Sequence, residues 1–294
     1  MPAERASVPS SSAIPTHKRR DIPKNAVDSG GRGGLRLALI LVASFMVVLD
    51  FTIVNIALPS IEHDFGLRTS AVQWVVTGYA IAFSGLLILG GRAADLLGRR
   101  RTFVAGLVVF SLASLAAGLA GDPVLLVAAR VVQGAGAALV APAAISLITT
   151  SFPPGPRRTK AIGLYGSMAS VGFVSGQMLG GLLVEWTSWR AVFLVNVPVG
   201  LAAALLAPRV IAAAPTAPAA SPAGRRRLDV RGAVLITAAV ALAVFGISQG
   251  NVLGWTSPLV LGAATDAVVM PQPKFSVEGG ATLACSSYEL GGWQ

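Results

Sequence analysis

The sequence predicts an all-α membrane protein: a six-helix bundle, one further helix and an incomplete eighth span. Three observations predict it. The chain is 54% hydrophobic and only 12% charged, whereas soluble domains carry roughly twice that charge. Its apolar residues gather into successive runs of about 20, long enough to cross a bilayer at 1.5 Å per residue. Its Lys and Arg collect in alternate connections, the asymmetry that sets the orientation of membrane proteins.

The elements follow in order. Residues 1–35 are polar, rich in Ser, Pro, Gly and Arg and without amphipathic period. They read as a disordered cytoplasmic tail with no secretory signal. Residues 36–212 hold six spans, at 36–59, 71–91, 102–121, 124–148, 161–184 and 190–212. The connections are "SIEHDFGLRTS", "GGRAADLLGRRR", "GDP", "TTSFPPGPRRTK" and "EWTSW". A cytoplasmic linker, 213–229, is rich in Ala and Pro and contains Arg225, Arg226 and Arg227. Residues 230–262 supply an additional central helix, 231–249, and the start of the next. From 263 to 294 the chain is polar and aperiodic. Only about 13 residues, 258–270, including Asp266, could enter the bilayer, too few to span it. A truncated gene, a frameshift or a gene-model error is expected, with a natural half-length protein as the alternative.

Charge fixes the orientation. With the N-terminus inside, 19 Lys and Arg fall on the cytoplasmic side: seven at residues 5–36, four at 92–101, three at 157–160 and five at 209–231. Only Arg68 and Arg190 fall outside. The net charge of +10 belongs to this asymmetry, and no nucleic-acid partner is expected. The expected setting is the plasma (inner) membrane, multi-pass, with the lipid bilayer as first partner.

Two charges lie within spans, Asp50 in the first and Arg130 in the fourth. An intramembrane charge costs roughly 2.5–3.5 kcal/mol on insertion scales, so each is a functional candidate. Counting from the outer ends, Asp50 lies ~13 Å deep and Arg130 ~10 Å deep at the helical rise. Both are expected to face the bundle interior as a pair. A nearby cation favours the ionised carboxylate and burial the protonated one, so a balanced group can load and release a proton. A static structural pair is the other reading.

Glycines mark close helix contacts. Gly172, Gly176 and Gly180 recur every four residues and share one face of the fifth span, a small-residue strip that permits close packing. Gly134 and Gly136 read as packing positions, and Pro142 as a kink point. "GAGAAL" lies inside an apolar helix, not in the strand, turn and helix unit that a dinucleotide fingerprint requires. There is no G-x-x-x-x-G-K-[ST] stretch, His17 and His63 lack metal-ligand spacing, and Cys285 is the only cysteine. No enzyme chemistry, cofactor or metal is expected.

Several stretches together resemble the major facilitator superfamily, specifically its fourteen-span drug:proton antiporters. "GRAADLLGRRR" is similar to that superfamily's motif A, here Gly91, Asp95, Gly98, Arg99 and Arg100. "LDFTIVNIALP" is similar to the first-span motif, "RVVQGAGAAL" to motif B, and "GFVSGQMLGG", with Gly172, Gly176, Gly180 and Gly181, to motif C. "SWRAVFLVNVPVG" follows as in the family. Two departures stand out: Gln177 where motif C carries proline, and Leu96 where motif A often carries a basic residue.

The resemblance implies the N-terminal bundle of a proton-driven exporter of small amphipathic or hydrophobic molecules, with the proton gradient as energy source and no cofactor. It implies that motif A is a conformational latch, its aspartate contacting the other half of the transporter. Asp95 itself is expected near the start of the third span, satisfying free backbone N–H groups, with Gly98 turning the chain. Gln177 keeps a proton-coupled symporter open as an alternative. A non-transporting remnant or membrane partner of a full-length transporter is the third reading, and a second chain completing the bundle belongs with it.

Overall fold

The computed structural model describes residues 30–211 and scattered positions between 235 and 262. The expectations for the N-terminal tail before residue 30, the linker, most of the seventh span and the segment 263–294 lie outside the described residues.

Eight helices make six spans among the described residues. The first span is α1 (Gly30–Phe65), and the second joins α2 (Thr69–Val72) to α3 (Trp74–Leu97). The third is α4 (Arg99–Gly118), the fourth α5 (Pro123–Ser151) and the fifth α6 (Pro156–Trp186). The sixth is broken into α7 (Trp189–Leu194) and α8 (Asn196–Val210).

The spans are longer than the apolar runs because polar residues that do not break helices extend them. "SIEHDF" was expected to be connection but continues α1, so His63 lies in a helical last turn. Gly66, at φ +61°, ends it. Asp122 caps α5 by accepting the Leu125 N–H at 2.9 Å, and Pro123 occupies the first helical position, where its missing N–H costs nothing.

The structure corrects the place of Asp95. "AADLL" contains no breaker, so α3 runs through Leu97, and the aspartate sits in the last turn of the second span. Gly98, at φ +95°, turns directly into α4 with no side-chain cap. Asp95 therefore caps nothing there.

The helices pack through small residues. Gly134 faces Tyr79 and Ala82 of α3, with Ala82 Cβ 3.2 Å from where its own Cβ would be. Gly136 and Gly106 interlock α5 with α4. Pro142 lies inside α5 and cannot donate to the carbonyl four residues back, that of Ala138. Gly90 of α3 packs on that same Ala138 carbonyl. On the other side, α6 lies along α1 through the predicted strip. Cβ atoms on Gly172, Gly176 and Gly180 would meet Val48, Thr52 and Ile53 respectively. Gly181 is a correction: nothing lies within 4 Å of its Cβ position, so it stands off the strip. Gln177 is exposed, and the strip is continuous on either side of it.

Candidate functional site

Asp50 and Arg130 meet inside the bundle. Arg130 Nη1 lies 2.7 Å from Asp50 Oδ2, and both side chains are 0% exposed. The antiparallel course of α1 and α5 brings the two depths counted from sequence to one level.

The pair is part of a larger polar cluster that the sequence reading missed. Gln133 Nε2 and Asn196 Nδ2 each donate to Asp50 Oδ1 at 2.8 Å. The Gln133 carbonyl accepts from Arg130 Nη1 at 2.7 Å, and Arg130 Nε donates to the Val75 carbonyl at 3.0 Å. Ser114 Oγ donates to the Phe193 carbonyl at 2.9 Å while accepting from Gln133 at 3.1 Å. All of these polar side chains are buried.

Six helices, α1, α3, α4, α5, α7 and α8, deliver this cluster for local reasons. Gln133 stands three residues after Arg130, so both point from one face of α5. Asn196 opens α8 at the break in the sixth span, where Pro198 two residues on also lacks an N–H. Gly200, one turn later, seats α8 against Ser111 of α4 and Met46 of α1. Ser114 carries no sequence signal, and Asn196 lay in the quoted "SWRAVFLVNVPVG" without being singled out.

Tyr79 of α3 covers the cluster. The Arg130 guanidinium sits 4.2 Å from its ring centroid and 5.7 Å from that of Phe193, within cation–π range. Arg130 Nη2 has no hydrogen-bond partner, alone among the buried side-chain nitrogens and oxygens of the described residues. Its place against the Tyr79 face offsets part of that deficit. Tyr79 also helps line an apolar cavity of about 400 Å³ with Val47, Val48, Phe51, Ala80, Phe83 and Ser84. A second cavity of about 190 Å³ shares Val47, Val48 and Phe83 and reaches Tyr165 and Met168 of α6.

Motif A is arranged differently. Arg100 Nη1 donates to the Ile211 carbonyl at 3.2 Å and to the Pro208 carbonyl at 3.4 Å, and Arg36 Nε to the Val210 carbonyl at 2.8 Å. Two arginines thus serve the free carbonyls at the end of α8. Asp95 is exposed and makes no hydrogen bond or ion pair among the described residues. Gly91 lies 3.9 Å from the Pro142 side chain, measured from its Cβ position. Arg99 opens α4 at this turn and is half-buried. At the opposite end, Asp64 accepts from Trp189 Nε1 at 2.9 Å and from Arg190 at 3.0 Å, a half-exposed clasp between α1 and α7.

Comparison with known proteins agrees with this architecture. The profile of the Major Facilitator Superfamily matches residues 40–276. Over 219 residues the chain is 50% identical to the cephamycin export protein of Amycolatopsis lactamdurans, covering 74% of this chain and 44% of that protein. Over 235 residues it is 44% identical to the puromycin resistance protein of Streptomyces alboniger, covering 80% and 45%. The chain therefore spans about half the length of the curated relatives it matches. The crystal structure of a bacterial homologue of the human lysosomal transporter Spinster, inward-facing and unoccupied, superposes with a TM-score of 0.57 at 20% identity. That match covers 82% of this chain and 60% of the other, and it concerns the fold. The chain belongs to the major facilitator superfamily.

Proposed function

We propose that the whole protein is a proton-coupled exporter of small hydrophobic or amphipathic molecules, and that Asp50 carries the coupling proton. The observation that supports this best is the double role of Tyr79. One ring lines the apolar cavity and covers the Arg130 guanidinium that holds Asp50. A substrate that moves this ring disturbs the ion pair, and a change at the ion pair moves a wall of the cavity.

The bonding explains how a proton would act. Both oxygens of Asp50 accept hydrogen bonds from N–H donors, so the cluster suits the ionised carboxylate. A proton arriving on Oδ1 neutralises the carboxylate, leaving a buried guanidinium on Oδ2 with less to hold it. Relief of that mismatch provides the bias between two arrangements of the bundle, as proton-coupled rocking requires. The apolar cavity and the export and resistance proteins among the relatives favour a hydrophobic cargo. The distribution of Lys and Arg supports a cytoplasmic N-terminus, and the proposed export belongs in the plasma membrane.

The test joins residues 1–211 to the remaining part of the cephamycin export protein of Amycolatopsis lactamdurans. Cephamycin export from a sensitive host is followed with and without a protonophore. Export should stop when the gradient collapses and when Asp50→Asn is introduced. Export indifferent to Asp50→Asn removes Asp50 from the coupling.

A further inference from the structure

We infer that Asn196 is the positioning residue that follows the proton on Asp50, its amide donating to the carboxylate and turning over to accept from the carboxylic acid. The inference rests on Asp50 being the proton carrier. It comes from which members of the cluster are free to change hydrogen-bond polarity.

Gln133 is locked. Its carbonyl oxygen accepts from Arg130 Nη1 at 2.7 Å, and its amide nitrogen donates to Asp50 at 2.8 Å and to Ser114 at 3.1 Å. Turning it over would set an NH2 group against the guanidinium. Ser114 is locked too, because its proton goes to the Phe193 carbonyl and its lone pairs face the two amides. Arg130 can only donate. Asn196 alone has slack. Its nitrogen donates to Asp50 Oδ1 at 2.8 Å, its second contact, to Ser114, is stretched to 3.5 Å, and its own carbonyl oxygen accepts no hydrogen bond among the described residues.

An acid on Asp50 needs an acceptor for its new O–H, since a buried donor without one costs about 1–3 kcal/mol. The cluster offers one only if Asn196 rotates and brings its oxygen to Oδ1. No bond breaks except hydrogen bonds, and the proton stays on Asp50. The charged and titratable groups facing Asp50 are Arg130 from α5 and Tyr79 from α3. At this level α4, α7 and α8 offer only Ser114, Phe193 and Asn196, and α6 only its glycine strip and neighbouring uncharged residues. Because Asn196 begins α8, immediately after the break at Val195, its rotation puts the change at the hinge of the sixth span.

The chain has four asparagines, Asn25, Asn55, Asn196 and Asn251, which makes the rotation visible. The full chain is reconstituted in lipid vesicles with isotope-labelled asparagine amides, carrying Asn25→Gln, Asn55→Gln and Asn251→Gln so that Asn196 alone reports. Infrared difference spectra are then taken between acidic and alkaline buffer. The expected result is a carboxylic-acid carbonyl band that Asp50→Ala removes, and an Asn196 amide band that shifts with the same midpoint and stays still in Asp50→Ala. A carboxylic-acid band without any Asn196 shift overturns the inference and leaves Asp50 as proton carrier. Absence of any band dependent on Asp50 overturns both.

Discussion

The molecule holds two concentrations of charge that obey opposite physics. In the bundle interior, Asp50 and Arg130 are wholly buried, with Gln133, Ser114 and Asn196 fixing their oxygens and nitrogens in place. In motif A, at the turn between α3 and α4, Asp95 is exposed and unpaired among the described residues, and the Arg100 guanidinium donates to backbone carbonyls at the end of α8. The residue types are the same in both places. The difference lies in desolvation: a buried ion must be matched atom by atom, whereas an exposed one is matched by water. A single change should therefore be severe in one region and mild in the other.

The largest effect is expected at Arg130. Arg130→Met removes the cation and leaves Asp50 buried, which destabilises by about 3–5 kcal/mol when one partner of a buried pair is lost. Adding Asp50→Asn should recover much of it, since the uncompensated charge goes too. Thermal unfolding of both variants in detergent measures this. A double variant no more stable than the single would mean that Arg130 acts chiefly through Tyr79, Phe193 and Val75.

Next come the glycines. A Cβ on Gly176 would overlap Thr52 Oγ1 and lie 3.1 Å from the Leu49 carbonyl. Gly176→Val should thus destabilise by about 1–3 kcal/mol, as overpacking does. Gly181→Val, with open space at its Cβ, should leave the unfolding midpoint unchanged in the same assay. Equal losses at the two positions would show that glycine content, not the α1 contact, holds α6.

These contrasts mark what was legible in the sequence. Spans came through because bilayer thickness imposes a length that composition reveals. Asp50 and Arg130 were visible because charge in an apolar run is conspicuous, and the depth count put them together. Gly172, Gly176 and Gly180 were visible as a period, and Gly181 was misassigned because adjacency in a motif says nothing about helix face. Ser114 and Asn196 were missed because neutral polar residues are common in spans, and only tertiary packing decides which of them meet a carboxylate. Asp95 was placed on the wrong helix because "AADLL" gives no stop signal before Gly98, so the span boundary had to be set by hydropathy alone.

Motif A should yield the smaller effects on stability. Arg100→Ala removes a cation from the carbonyl end of α8 and should destabilise by about 0.3–1 kcal/mol, less at high salt. Arg36 serves the same helix end at the Val210 carbonyl, so Arg36→Ala with Arg100→Ala should exceed either alone in thermal unfolding.

Asp95→Asn should be the mildest, with no change in unfolding midpoint, because the carboxylate touches nothing within the described bundle. That mildness gives the variant its use. A carboxylate that does no work inside its own bundle is free to work outside it, as a latch on the second half of a complete transporter. In the chimera with the cephamycin export protein, Asp95→Asn should then slow export while leaving stability unchanged. Asp50→Asn, by contrast, should stop export altogether. If Asp95→Asn alters neither export nor stability, motif A is reduced to its arginines, and the comparison with Asp50 becomes one between a working carboxylate and an idle one.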